Sequence, residues 1–164
     1  MKESYQLSDK PAAADAMRID LDFQQRQKSR HKAKTQCGEE LGWFLERGRV
    51  LEDGDVLLCS DGSQVVVTAA DETVSEVYSD NPHLLMRAAY HLGNRHVPLQ
   101  IGEGYLRYQH DHVLDAMLQG LGLVVECCRR PFHPENGAYS GGGHGHSHGH
   151  DDEHGHGHTH GHSH

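Results

Sequence analysis

The stretch from His144 to His164 carries no apolar side chain, so no packed core can include it. Its histidines are His144, His146, His148, His150, His154, His156, His158, His160, His162 and His164. They alternate with Gly, Ser and Thr around an acidic centre, Asp151-Asp152-Glu153. Segments of such low hydrophobicity cannot offset chain entropy, so a disordered tail is expected. A purification tag is usually an uninterrupted run, and the interrupted pattern here argues for a native segment. Imidazole is the commonest protein ligand for divalent transition metals. Dense imidazole on a string therefore points to capture of nickel, copper, zinc or cobalt. Whatever folds must be built from residues 1–143.

The chain has 164 residues, which suits one or two small domains beside the tail. Its formal net charge is -9 with histidine neutral, which argues against nucleic acid and against anionic membranes as main partners. There is no signal-peptide pattern and no apolar run long enough to cross a bilayer. Cys37, Cys59, Cys127 and Cys128 form neither a CxxC pair nor a disulfide framework, so reduced thiols in a cytosolic protein are expected. Small buried hydrophobe is the expected role of each, with Cys127 and Cys128 on opposite faces of a strand.

Residues 1–72 read as a small all-β domain. Met17 to Phe23 alternates apolar and polar residues, the period of a half-buried strand. Trp43-Phe44-Leu45 reads as a short strand, and Leu51 to Asp55 carries an Asp-Gly turn. Val56–Cys59 and Gln64–Ala69 flank Ser60-Asp61-Gly62-Ser63 as a hairpin. Lys34 to Gly38 fits neither period, and no helix is expected in this part.

Residues 73–143 follow a different pattern. Val74 to Tyr78 is a strand. Asn81 caps a helix with Pro82 in its first turn and Leu84, Leu85, Ala88 and Leu92 along one stripe. Gly93 or Asn94 is expected to end that helix in the left-handed conformation. Val97 to Ile101 and Tyr105 to Tyr108 are strands around a Gly102-Glu103-Gly104 turn. Asp111 can cap a second helix carrying Val113, Leu114, Met117, Leu118 and Leu121, and Leu123 to Cys127 closes the set. The order β-α-β-β-α-β is the ferredoxin-like arrangement, giving an α+β chain overall. Phe132 to Gly143 reads as an exit into the tail, residues 144–164.

Three histidines outside the tail are candidate ligands. A lone His96 is ordinarily a surface or core residue. Paired with its copy across the two-fold axis of a homodimer, it would become two imidazoles at one site. In an extended chain His110 and His112 project to one face and can chelate one metal. If Asp111 is instead a helix cap, both are simply exposed. His31, His83, His91 and His133 show no pattern. No HExxH, GxSxG or P-loop motif is present, so catalysis has no positive support.

The segment GNRHVPLQIGEGYLRY, Gly93 to Tyr108, is followed by HDHVLDAMLQGLG and later by PFHPENGAYSGG. Together these strongly resemble the UreE family, urease accessory metallochaperones that supply nickel to the urease active site. The likeness is dense over residues 80–143. It is looser over the β domain, where it rests on domain order, on Gly42-Trp43-Phe44-Leu45 and on the Leu51-to-Asp55 turn. The resemblance implies a cytoplasmic homodimer that is not an enzyme, with a β domain for partner interaction and a ferredoxin-like metal-binding domain. It implies nickel at His96 across the dimer interface, an auxiliary site at His110 and His112, and further reversible sites in the tail. It also implies delivery to apo-urease with a GTPase accessory protein. Imidazole sites do not by themselves select nickel, since copper binds them more strongly and zinc competes. A general nickel or zinc buffer is the alternative, and a metal-dependent hydrolase a distant third.

Overall fold

Alternation along Met17-Arg18-Ile19-Asp20-Leu21 directs Ile19 and Leu21 to one side, and both are fully buried in the computed structural model, which describes residues 1–137. They belong to a six-stranded mixed sheet built from β1 (Lys2–Leu7), β2 (Met17–Leu21), β3 (Arg30–Lys34), β4 (Glu40–Phe44), β5 (Val56–Cys59) and β6 (Gln64–Ala69). The strand order is β2-β6-β5-β1-β4-β3. The expected hairpin is β5-β6, in register Val56↔Val66 to Leu58↔Gln64, with Gly62 at φ +86° in its turn. Trp43, Leu41, Leu51, Leu57, Val65 and Val67 complete the core of this sheet. The Trp43 indole N–H donates to the Lys28 carbonyl at 2.9 Å, so its polar edge is not stranded inside.

The N-terminal part is not wholly β. The chain leaves β2 at Leu21 and turns into a one-turn helix α1 (Phe23–Arg26). Asp22 and Gln25 form a reciprocal capping box, each side chain accepting from the other's backbone N–H. The expected strand therefore ends before Phe23, because local capping overrides the alternation. β1 and β3 carried no apolar alternation strong enough to be expected. Lys34 closes β3, and the ambiguous residues after it form a turn with Gly38 at φ +86°.

The second sheet holds β7 (Asp71–Tyr78), β8 (Leu99–Gly102), β9 (Tyr105–Gln109) and β10 (Val125–Pro131) in the antiparallel order β10-β7-β9-β8. Helices α2 (Pro82–Asn94) and α3 (His112–Gly120) cover one face, in the element order expected from the sequence. Asn81 accepts from the His83 and Leu84 amides, and Asp111 from those of Val113 and Leu114, so each helix starts on a side-chain cap. Ala88 and Leu92 of α2 and Leu114 and Leu118 of α3 pack on Val77, Leu99, Leu106 and Tyr108. Each fully buried leucine contributes roughly 1.5–3 kcal/mol relative to exposure.

The two sheets meet at Phe23, Val74 and Phe132, with Val50 and Cys128 alongside. The Phe23 and Phe132 rings pack edge to face, centroids 5.6 Å apart. Arg26 is buried here, and its guanidinium donates to the Leu51 carbonyl at 3.3 Å and to the Phe132 carbonyl. Phe132, expected to open the exit, is instead a fully buried anchor, and β10 runs four residues beyond Cys127 to Pro131. The buried-hydrophobe reading holds for Cys59 alone; Cys37 and Cys127 are exposed and Cys128 is half-buried. Cys127 and Cys128 do face opposite sides, opposite Ser75 and Val74 respectively. No helix among the described residues is long and apolar enough to cross a membrane.

Candidate metal centre

The antiparallel order of the second sheet gathers its candidate ligands at one end. β9 runs against β7, so Gln109 lies opposite Val74 near the start of β7, and the His110 amide donates to the Thr73 carbonyl at 3.2 Å. Leu99 pairs with Tyr108, so β8 begins at that same end, three residues after His96. His112 follows as the first residue of α3. His96, His110 and His112 are all exposed.

His96 has the backbone the sequence assigned to Gly93 or Asn94. α2 continues through Asn94, Arg95 is its C-cap, and His96 takes the left-handed position just beyond, at φ 56°. Its amide donates to the Gly93 carbonyl at 3.0 Å, closing the helix end. It is the one non-glycine residue at positive φ among the described residues, a conformation that glycine adopts more easily.

His110 is held more firmly than an exposed imidazole needs to be. Its Nδ1 lies 3.0 Å from the Ser75 hydroxyl and 3.3 Å from an Asp115 carboxylate oxygen. The other Asp115 oxygen accepts from the Tyr108 hydroxyl at 2.5 Å. Tyr108 and Ser75 are fully buried. Burial pushes the Tyr108 phenol strongly up, and the bond to Asp115 adds to it, so it remains a neutral donor. With Nδ1 engaged, Nε2 is the nitrogen left for a metal, the arrangement in which a carboxylate orients a ligating histidine. The sequence reading missed Ser75, Tyr108 and Asp115. Two signals were available: Tyr108 lies two residues before His110 on one strand face, and Asp115 lies one turn inside the helix that Asp111 caps.

Asp111 is the N-cap, so the capping alternative for His110-Asp111-His112 holds at the backbone. Amide donation from Leu114 and Val113 lowers the Asp111 carboxyl below its ordinary value, with a smaller contribution from the neighbouring imidazoles. Among the described residues no three His, Cys, Asp or Glu side chains converge as a ready metal site. The tail histidines lie outside the described residues. The root of the tail is described: the Glu135 amide donates to the Leu99 carbonyl at 2.8 Å, so the chain leaves the fold three residues from His96 in sequence.

Two family models match the chain. Residues 3–70 match the N-terminal domain of the UreE urease accessory protein, and residues 72–164 its C-terminal domain. The Urease accessory protein UreE of Teredinibacter turnerae is 61% identical over 146 residues, covering 88% of this chain and 95% of that protein. That of Saccharophagus degradans is 58% identical over 123 residues, 75% of this chain and 73% of the relative. One from Pseudomonas putida is 59% identical over 127 residues, covering 77% and 79%.

Proposed function

The chain belongs to the UreE family of urease accessory proteins, and from that membership we propose that it binds Ni(II) and delivers it to the assembling urease metallocentre. The observation that carries this reading is the grouping of exposed His96, His110 and His112 at one end of the second sheet, with His110 Nδ1 already occupied by protein groups. A carrier must leave coordination positions open for the ligands of the receiver. A site with few imidazoles per chain does that.

In this reading the protein acts as a cytoplasmic homodimer, without catalysis of its own. His96 meets its copy across the two-fold axis and holds the metal that is delivered. One observation supports the dimer: Met86 and Tyr90 are exposed one turn apart on α2, the helix that ends two residues before His96. The element order and the strand order β10-β7-β9-β8 support a ferredoxin-like second domain. His110 and His112 serve as an auxiliary site.

The tail histidines bind further metal reversibly, as a store or as a supply to His96. His144 lies seven residues past Gly137, so covalent geometry alone keeps it within about 25 Å of the tail root. The partners are apo-urease and its accessory complex, including the GTPase accessory protein. Zinc and copper compete for the same nitrogens, so nickel selectivity comes from geometry and supply. Nickel titration of the full chain and of a His96→Ala variant by calorimetry tests the site. Loss of the tightest class of sites, with the weaker classes kept, is the expected result. An unchanged isotherm would contradict the assignment.

A further inference from the structure

The chain carries more acidic than basic residues, 24 against 15, yet a group of cations in the first domain has no acidic partner among the described residues. Lys28 lies in the link between α1 and β3, Arg30 is the first residue of β3, and Arg47 lies in the loop after β4. All three are exposed, and none makes a side-chain hydrogen bond or ion pair among the described residues. They line one concavity of about 450 Å³ together with Gln27, Ser29 and Leu45, and no carboxylate lines it. Arg30, Lys32 and Lys34 alternate outward along β3, so the positive face continues from the concavity with a charge at roughly every 7 Å. Only Lys34, at the far end, has an acid directly opposite, Glu40.

We propose that this concavity is a docking site for an acidic segment of a partner protein, with carboxylates taken by Arg30, Arg47 and Lys28. Charges on β3 alone would be explained by its place at the end of the sheet, since lysine and arginine discourage edge-to-edge pairing. That explanation does not account for Arg47, which comes from a separate loop and closes the same cavity. Guanidinium groups bind carboxylates through paired hydrogen bonds, and the half-buried Leu45 offers an apolar wall for the stem of a glutamate. A polynucleotide is disfavoured, because it needs a long positive track and would meet the negative charge of the rest of the chain. The site lies in the first domain, and the proposal stands or falls independently of metal carriage.

The test is fluorescence anisotropy of a labelled oligoglutamate peptide with the full-length protein, at pH 8 with a chelator, so that the tail imidazoles are uncharged and metal-free. The triple variant K28Q/R30Q/R47Q is compared with K10Q/R18Q/R87Q, which removes the same charge from exposed positions elsewhere. Both should keep the thermal midpoint of the parent. The first should weaken peptide binding about tenfold or more and the second by less than about threefold. Equal weakening by both variants would overturn the proposal, as would absence of saturable binding at low ionic strength. So would tighter, equally cavity-dependent capture of an oligouridylate.

Discussion

His96 stands at a backbone position where glycine would be unstrained, and the fold keeps an imidazole there at a cost of about 1 kcal/mol. His96→Gly should therefore be more stable than His96→Ala by about that amount in chemical denaturation. Equal stability would mean that the left-handed backbone is not strained. For His110, Asp115→Asn should weaken binding at its auxiliary site by about tenfold or more, since the orienting carboxylate is lost while the imidazole stays. Metal titration of a tail-deleted protein isolates that effect, and an unchanged affinity would reduce Asp115 to a packing role. The imidazoles were singled out in the sequence, His96 by the family resemblance and His110 and His112 by their spacing. Their supports were not, because Ser75, Tyr108 and Asp115 come from β7, β9 and α3 and meet only after the sheet has formed. The left-handed position was expected two or three residues early because Gly93 attracts that assignment, whereas α2 runs through Gly93 to Asn94 and is capped at Arg95.

Periodicity identified β2, β5, β6 and both long helices, because each buries a continuous apolar stripe. It missed β3, whose Arg-His-Lys-Ala-Lys sequence has no such stripe and is held by backbone pairing to β4. It also missed α1, which exists through the Asp22–Gln25 capping box and through Arg26. Arg26 joins α1 to the end of β10 through the Leu51 and Phe132 carbonyls, and desolvation lowers its pKa. Arg26→Ala should destabilise the protein by about 2–3 kcal/mol, since two charge-assisted bonds and the packing of Phe132 are lost together. A loss within error in urea denaturation would show that the two domains hold together without it. A pH effect belongs to this scale as well. Burial lowers the pKa of His31 on β3, and the cationic Lys28 lowers it further. Burial, with Arg26, does the same to His133 beyond β10. Below the ordinary histidine value the unfolded chain then binds more protons than the folded one, so stability falls as pH drops through about 6.5. The double variant H31Q/H133Q should flatten that slope between pH 7 and pH 5. A slope equal to that of the parent would assign the acid sensitivity to other groups.

The whole molecule combines a two-domain fold with a tail that no core can absorb, and the proposed function divides metal delivery and metal capacity between them. Deleting His144 to His164 should lower nickel stoichiometry by roughly two to three ions per chain, at about four imidazoles per ion, and leave the fold and the His96 site intact. Unchanged stoichiometry by equilibrium dialysis would remove the tail from the account. Affinity in the tail should also weaken steeply as pH falls through about 6.5, where proton and metal compete for the same nitrogen. In the proposed dimer His96→Ala would act differently, because two-fold symmetry would remove two imidazoles from one site while leaving those of the tail in place. The most direct measurement is activation of apo-urease in cells at limiting nickel, comparing His96→Ala with the tail deletion. A severe loss of activation is expected with His96→Ala and a milder one with the tail deletion. Full activation by His96→Ala beside a severe loss from the tail deletion would contradict this and make the tail the donor.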